Sequence, residues 1–439
     1  MTRREPDATI YTGEFREETY RKVMWRLLPL LFPCYVLNYL DRVNIGYSQL
    51  RMGPDLAFSD GVYGLGASMF FVGFVLFEIP SNLLLEKSGI RTTILRIMVL
   101  WGLLSAATIF VRRPAEFYLV WFLLGVAEAG FFPGIMWYLT LWFPPQRRAR
   151  VAGIIMTAAV VAGMIAGPIS GWILHNTDGL GGLASWQWLY LIEGLPSCIL
   201  GVVTFFALPL SPSKASWLSE NQRKLIVSEV SVSSPKIGAT SKGVLIALKS
   251  STVWMYSFLY FTIGCGAYAL SFWMPSMIQG LRIADTRIIG LVSTIPYTFG
   301  AIVMVWYGYR SDRKHERRWH LAVAILVAAA TLTATTLTTT HVWLSVALIS
   351  VAVGGVVAAY PVFWAAATAA VPRAAPGASI AAITSIGNLS GVATPLTIGV
   401  LKAWSGNLSI GLYCTTIMMV VGLPILFQHH TQLGKSASA

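Results

Sequence analysis

Five ionisable residues interrupt long apolar stretches of this sequence and are the first candidates for chemistry. Asp41 and Arg42 are adjacent, whereas Glu78, Glu128 and Glu193 each stand alone among apolar neighbours. Inserting a charged side chain at the centre of a membrane costs about 2.5–3.5 kcal/mol, and such residues usually bind a solute, carry a proton or pair with each other. These residues therefore predict a buried site that handles protons or charged solutes.

Arg42 is predicted to be the substrate anchor. Successive residues of a helix diverge by about 100°, so Asp41 and Arg42 face different neighbours. Arg42 shares a helical face with Asn38 and Tyr39. A guanidinium with polar and aromatic neighbours suits a carboxylate, and Asn38 and Tyr39 are predicted to contact the substrate beside Arg42. The alternative is a structural ion pair between Arg42 and a nearby acid.

Asp41 and Glu128 are predicted to carry the coupled protons. A buried carboxyl can take up and release a proton as the charges around it change. Glu128 has no basic partner on its own helix, which favours its protonated form, and a permanently neutral Glu128 is the alternative. Glu78 and Glu193 are interpreted mainly as structural.

The elements that position these residues must be membrane helices. Of the 439 residues, 55% are hydrophobic and 12% are charged, against about 25% charged in ordinary soluble domains. A crossing helix needs about 20 apolar residues, and the sequence predicts an all-α membrane protein with twelve spans. They are predicted at 27–48, 62–85, 94–111, 117–142, 151–174, 187–209, 252–278, 288–309, 320–338, 342–365, 378–401 and 408–428.

A polar insert divides these spans six and six. The predicted organisation is an N-terminal cytoplasmic segment at 1–26, a first bundle at 27–210, a linker at 211–250, a second bundle at 251–428 and a tail at 429–439. The charges orient this arrangement, because cytoplasmic loops retain Lys and Arg. With both termini inside, 25 of the 32 bases lie on the cytoplasmic side, six lie opposite and one is Arg42. The net charge of +13 is therefore interpreted as a topology signal and not as a nucleic-acid surface.

Two loops at corresponding places in the two halves repeat one pattern. Each has an acid, a base directly after it and a further base four or five residues beyond the acid, and the acids are 226 positions apart. This repeat predicts two parallel halves. It also predicts a gate, since an acid at a helix end can pair with bases of the opposite half, although simple helix capping would leave the same pattern. The predicted gating residues are Glu86, Lys87, Arg91, Asp312 and Arg313.

These loops resemble the signature loops of the major facilitator superfamily. The segments 35–46, 77–82, 125–134 and 186–194 are similar to its anion:cation symporter family, the bacterial organic-acid/proton symporters. The resemblance implies two pseudo-symmetric six-helix bundles, a location in the bacterial inner membrane and proton coupling through Asp41 and Glu128. One position departs from the family: an Arg normally stands seven residues before Glu128, and here that place holds Trp121.

The predicted function is import of a small organic anion with protons by alternating access. Trp121 is predicted to contact the substrate, and its ring in place of a cation favours an aromatic or hydroxylated monocarboxylate. Further substrate contacts are predicted from the second half at Asn388, Tyr360 and Trp364. The alternatives are a drug/proton antiporter and a nutrient receptor that kept the fold. No enzyme, metal site or cofactor other than the proton is predicted, and the chain is expected to be a monomer in the bilayer.

Overall fold

A computed structural model describes residues 11–231, 241–314, 316–372 and 374–428, and these residues form helices and no strands. The first half contains α1 (Gly13–Leu56), α2 (Asp60–Leu85), α3 (Lys87–Phe110), α4 (Pro114–Thr140), α5 (Pro145–Asn176) and α6 (Ser185–Ala207). The linker contains α7 (Glu220–Ser231) and α8 (Ser241–Lys249). The second half contains α9 (Ser251–Gln279), α10 (Thr286–Lys314), α11 (Arg318–Thr335), α12 (Val342–Ala370), α13 (Pro376–Gly387), α14 (Ser390–Ser405) and α15 (Leu408–Phe427).

Eleven helices of the described chain are long and apolar enough to cross a membrane. They correspond to eleven of the twelve predicted spans. The span predicted at 378–401 is divided instead between α13 and α14, with Asn388 and Leu389 at the break. At the other end of the chain, α1 begins at Gly13, so most of the predicted N-terminal segment continues the first span as helix. Residues 1–10 and the predicted tail at 429–439 lie outside the described residues.

A second interruption lies within α4, where one continuous span was predicted. The helix stops after Glu128 and resumes at Phe131. Gly130 at this break has φ +85°, a left-handed conformation that glycine adopts without steric penalty. Pro133 reinforces the break, because proline provides no N–H for the hydrogen bond that a continuous helix would form with the carbonyl of residue 129. Both interruptions therefore lie directly beside predicted site residues, Glu128 and Asn388.

The two halves pack closely at the end of the molecule that carries the loop after α1, and we call this the loop end. Gly64 of α2 faces Gly399 of α14, and Gly167 of α5 faces Gly290 of α10. At each pair an added Cβ would overlap the backbone of the opposite half. Small residues permit this approach, which van der Waals contact stabilises in a membrane.

Polar contacts join the halves at the same end. Lys402 Nζ donates to Asp60 Oδ1 at 2.8 Å, and His175 Nδ1 lies 3.3 Å from Asp285 Oδ1. Towards the opposite end, which holds the termini, the last hydrogen bond between described residues of the two halves joins Ser385 to Glu78. The halves are therefore joined at the loop end and across the middle.

The first linker helix is attached to the first half at the end that holds the termini. Tyr20 Oη donates to Glu229 Oε2 at 2.7 Å, and Arg16 pairs with the same carboxylate at 3.1 Å. Beside them, the rings of Trp142 and Trp217 stack with centroids 5.7 Å apart. The predicted linker thus includes ordered helix, although residues 232–240 lie outside the described chain.

The predicted gating residues are not joined across the halves in this conformation. Arg91 Nε donates to the Leu208 carbonyl within the first half. Asp312 pairs with Arg317 at 2.5 Å within the second half, and Lys87 and Arg313 are exposed. The side chain of Glu86 lies outside the described residues. The gating role stays a prediction.

Candidate functional site

An ion pair between α1 and α4 forms the centre of the candidate site. Arg42 Nε donates to Glu128 Oε2 at 2.8 Å, and Asn38 Nδ2 donates to the same oxygen at 2.8 Å. The Glu128 side chain is fully buried, whereas 17% of the Arg42 side chain is exposed. Asn38 and Arg42 are one helical turn apart, so both reach a carboxyl that stands at the break in α4. In this conformation Arg42 therefore forms an ion pair with a nearby acid, which was the predicted alternative to its role as substrate anchor.

This ion pair leaves most of the Arg42 guanidinium available. Among the described residues no hydrogen-bond acceptor is paired with Nη1 or Nη2, while Nε is used by Glu128. The guanidinium carbon lies 5.3 Å from the ring centroid of Phe70 and 4.9 Å from that of Phe74. Aromatic faces hold a cation in place without occupying its N–H groups. The Nη1 and Nη2 donors therefore have no acceptor among the described residues, and a pair of such donors suits bidentate contact with a carboxylate.

Asp41 occupies a separate environment inside the first half, as its angular separation from Arg42 predicts. Ser105 Oγ of α3 donates to Asp41 Oδ1 at 2.6 Å, and Asp41 is 1% exposed. Its second oxygen has no hydrogen-bond partner among the described residues. Ser105 was missed by sequence reasoning because a serine in an apolar helix carries no signal of its own. A buried carboxyl with a free oxygen has room for a proton.

The second half approaches this region through Tyr268 of α9, which packs against Phe71, a ring neighbour of the Phe70 that faces Arg42. Tyr268 Oη donates to Asn388 Oδ1 at 3.3 Å, and its ring lies 4.5 Å from that of Phe71 on α2. Asn388 stands at the break between α13 and α14. We call Asn38, Arg42, Glu128, Tyr268 and Asn388 the central site, because these residues approach one another where the two halves meet.

An aromatic cluster borders the central site on the side of the second half. The ring of Tyr260 lies 5.7 Å from Tyr360 and 5.3 Å from Trp364, measured between centroids. All three side chains are half-buried. Tyr39 of α1, predicted as a substrate contact, is also half-buried and lies three residues before Arg42 on the same helix. These rings can pack against an aromatic or apolar part of a solute.

Trp121 lies in the interior of the first half. It is 1% exposed, and its ring neighbours are Phe70, Phe117 and Tyr190 at centroid distances of 6.2, 5.9 and 6.3 Å. In this conformation Trp121 supports the ring of Phe70, which in turn faces Arg42. Direct contact between Trp121 and a substrate stays a prediction.

The two acids interpreted as structural occupy different places. Ser170 Oγ of α5 donates to Glu193 Oε1 at 3.0 Å within the first half. Glu78 instead lies at the junction of the halves, where Ser385 Oγ donates to its Oε2 at 3.0 Å.

The spacing of four between Phe70, Phe74 and Glu78 places all three on one face of α2. That spacing is the sequence signal that would have included both phenylalanines in the site.

A family model described as Major Facilitator Superfamily matches residues 31–395. The chain belongs to the major facilitator superfamily. The predicted fold class of this superfamily is thereby confirmed, as is the prediction that the protein is a transporter and not an enzyme.

Curated superfamily members resemble the chain along most of its length. A "Putative tartrate transporter" of Agrobacterium vitis is 41% identical over 409 residues, which cover 93% of this chain and 94% of the relative. NicT of Pseudomonas putida, named as a metabolite transport protein, is 39% identical over 388 residues, with 88% and 89% covered. A quinolone resistance transporter of Acinetobacter baumannii is 36% identical over 426 residues, with 96% of both chains covered.

Solved major facilitator structures share the fold. A bacterial homologue of the human lysosomal transporter Spinster, inward-facing and unoccupied, superposes with a TM-score of 0.74 at 16% identity and covers 95% of this chain and 97% of its own. The xylose transporter XylE of Escherichia coli gives a TM-score of 0.72 at 13% identity, with 93% and 98% covered. These structures show the shared fold, and the family match together with the eleven long apolar helices of the described chain makes the protein a multi-pass membrane transporter.

Proposed function

We propose that this transporter imports a small organic anion together with protons through the bacterial inner membrane, with both termini cytoplasmic. The observation that carries the proposal is the ion pair in which Glu128 holds Nε of Arg42 while both Nη groups lack a hydrogen-bond acceptor among the described residues. This arrangement provides a carboxylate receptor whose affinity depends on the protonation of its own acid.

The coupling between substrate binding and proton binding follows from electrostatic repulsion between the substrate carboxylate and Glu128. A substrate carboxylate on the Nη groups would lie about 5–6 Å from an ionised Glu128, and at an effective dielectric constant of about 20 their repulsion is about 3 kcal/mol. Protonation of Glu128 removes this repulsion and leaves the charge of Arg42 to the substrate. Anion and proton therefore bind together, and each raises the affinity for the other by the same factor.

Asp41 supplies a second proton site behind the first. It is buried in the first half with one oxygen free, and it does not share a hydrogen bond with Arg42 or Glu128. Two protons with one monoanion carry net positive charge inward, which the membrane potential favours by about 2.3 kcal/mol per charge and 100 mV. Uptake of a monoanion is therefore expected to be electrogenic, and strictly electroneutral uptake in a liposome current assay would contradict the two-proton model.

The proposed substrate is an aromatic or hydroxylated monocarboxylate. The Tyr260, Tyr360 and Trp364 rings favour an aromatic body, and Asn388 and Tyr268 offer polar contacts. The similarity to a protein named for tartrate supports a hydroxylated acid. Alternating access would then open the loop end by separating the Gly64–Gly399 and Gly167–Gly290 contacts.

The proposal is tested by thermal unfolding of the purified protein with tartrate, benzoate and 4-hydroxybenzoate at pH 6 and pH 8, followed by counterflow of any ligand that stabilises it. Stabilisation should be larger at pH 6, and Arg42→Gln should abolish it. Arg51→Gln is the matched control, because Arg51 is an exposed arginine on the same helix and should retain binding. Equal stabilisation of wild type and Arg42→Gln would refute the receptor role of Arg42.

The second candidate function is drug/proton antiport, which the similarity to a quinolone resistance transporter favours. The direction of flux separates the two functions. Under import, a protonophore lowers accumulation of the acid by cells that express the protein. Under export, the protonophore raises cellular retention of an amphipathic dye or quinolone.

A further inference from the structure

Glu78 is a buried carboxyl at the junction of the halves that the transport mechanism above does not use. The residue is 8% exposed. Its Oε2 accepts one hydrogen bond, from the neutral Ser385 hydroxyl at 3.0 Å, and Oε1 is bonded to none of the described residues. A carboxyl removed from water normally needs several donors or a cationic partner. Glu78 therefore has unused capacity to accept hydrogen bonds.

This carboxyl lies on the face of α2 that also carries Phe70 and Phe74. The guanidinium of Arg42 packs against both of these rings. No described basic residue forms an ion pair with Glu78. Glu78 thus adds a negative pole to a site whose positive pole is Arg42.

Helix geometry places Glu78 one turn beyond a ring that contacts Arg42. The guanidinium of Arg42 lies 4.9 Å from the ring of Phe74. Glu78 follows Phe74 by four residues on α2, so its backbone lies about 6 Å further along the helix axis on the same face.

Aromatic side chains of the second half lie close to Glu78. Ser385, the partner of Glu78, is two residues from Gly387, where an added Cβ would overlap the Tyr260 ring. Tyr260 in turn packs with Tyr360 and Trp364. Glu78, this aromatic cluster and Arg42 therefore lie around one junction of the two halves.

We propose that Glu78 binds the end of the substrate opposite its carboxylate, so that the preferred substrates are aromatic acids that also carry a protonated amine or another N–H donor. This inference rests on the proposed function, because it assigns the carboxylate to Arg42. Glu78 accepts the donor at one end of such a molecule while the Nη groups of Arg42 hold the carboxylate at the other.

The test compares 4-(aminomethyl)benzoate with 4-ethylbenzoate at pH 7 by isothermal titration of the purified protein. The two probes share ring, carboxylate and length, and only the first has an ammonium group. A charge-assisted hydrogen bond contributes about 1.5–3 kcal/mol. The aminomethyl compound should therefore bind the wild type at least tenfold more tightly.

Glu78→Gln should remove this preference while leaving the affinity for 4-ethylbenzoate within about twofold. Ser385→Ala is the matched control, because it removes the hydrogen bond between the halves and keeps the carboxyl, and it should retain the preference. If Glu78→Gln does not fold, the wild-type comparison of the two probes still tests the inference, because equal affinities would refute it.

Equal affinities of the wild type for both probes would overturn the inference about Glu78 and leave the carboxylate receptor intact. An equal loss of affinity for both probes in Glu78→Gln would also overturn it, since the carboxyl would then act on the fold of the site. Failure of every carboxylate to bind, with Arg42 unchanged, would instead refute the proposed function itself.

Discussion

Replacing Glu128 by Gln is expected to tighten binding of a carboxylate and to make that binding nearly independent of pH. The substitution keeps the shape of the side chain and an oxygen that can accept from Arg42 Nε and Asn38 Nδ2, whose bonds to Oε2 are both 2.8 Å long. It removes the negative charge that competes with the substrate. At about 3 kcal/mol, the lost repulsion corresponds to an affinity gain of up to about 100-fold at pH 8.

The same change should destabilise the protein without ligand. Removing one partner of a buried ion pair typically costs about 3–5 kcal/mol, because the remaining charge is uncompensated. Arg42 retains 17% exposure and the rings of Phe70 and Phe74, so the loss should fall at the lower end of that range. A bound carboxylate restores the missing negative charge, and Glu128→Gln should therefore show a larger ligand-induced rise in melting temperature than the wild type.

The assay is a benzoate titration at pH 6, 7 and 8 with both proteins, followed by counterflow and by uptake driven by a proton gradient. Counterflow should persist in Glu128→Gln, whereas accumulation against a gradient should fall sharply. Glu116→Gln is the matched control, because it removes a carboxyl that caps the start of the same helix and should leave the pH dependence unchanged. Weaker binding at every pH, or an unaltered pH dependence, would refute the competition between Glu128 and the substrate.

Three further outcomes are expected. Arg42→Lys should lower carboxylate affinity at least tenfold in the same titration, because lysine keeps the charge but lacks two parallel donors. Gly290→Leu should prevent closure of the loop end, since its side chain would overlap the Gly167 carbonyl, and a cysteine placed in that contact should become accessible to a water-soluble thiol reagent. Asp285 lies in the loop before α10, where its hydrogen bonds with Arg287 lower its pKa to about 2. The melting temperature of wild type should therefore exceed that of Asp285→Asn by a constant amount from pH 8 to pH 5. This difference should narrow only as the pH falls from about 4 towards 2, where Asp285 becomes protonated.

The helices were largely predictable from the sequence, and their irregularities were not. A hydrocarbon layer of about 30 Å demands about 20 apolar residues, which fixes spans such as α6 and α9 to within a few residues. The start of α1 at Gly13 was missed because its first turns are charged and lie outside the apolar stretch. The breaks beside Glu128 and Asn388 were missed because Gly and Pro also occur in continuous membrane helices, where neighbouring groups satisfy the backbone.

The site was predictable in its residue types and not in its pairing. Scarcity of charge pointed to Arg42 and Glu128, and helical spacing correctly separated Asp41 from Arg42. The contact between Arg42 and Glu128 joins residues 86 positions apart, and it depends on how α1 packs against α4. Nothing in local periodicity encodes that packing, so the sequence left the anchor role and the ion pair as alternatives. The structure contains the ion pair through Nε, and the anchor role of Arg42 stays a proposal.

The charges of the buried acids and of Arg42 connect the proposed anion–proton transport with the proposed role of Glu78. Among the described residues, the buried acids Asp41, Glu78, Glu128 and Glu193 outnumber the one deep cation, Arg42. A monoanion makes this site one unit more negative, and protons taken up by the acids restore the balance. A zwitterion adds no net charge of its own, but its carboxylate still binds Arg42 and still requires a protonated Glu128. Its ammonium group pairs with Glu78, which carries no coupled proton in the proposed mechanism. Transport of 4-(aminomethyl)benzoate should therefore use as many protons as transport of 4-ethylbenzoate and move one more positive charge inward per molecule. In proteoliposomes the pH change per molecule transported should be equal for the two compounds, while the current normalised to tracer flux should be larger for the zwitterion. A smaller proton uptake for the zwitterion would show that Glu78 is protonated during transport of a monoanion, and would refute the assignment of both protons to Asp41 and Glu128.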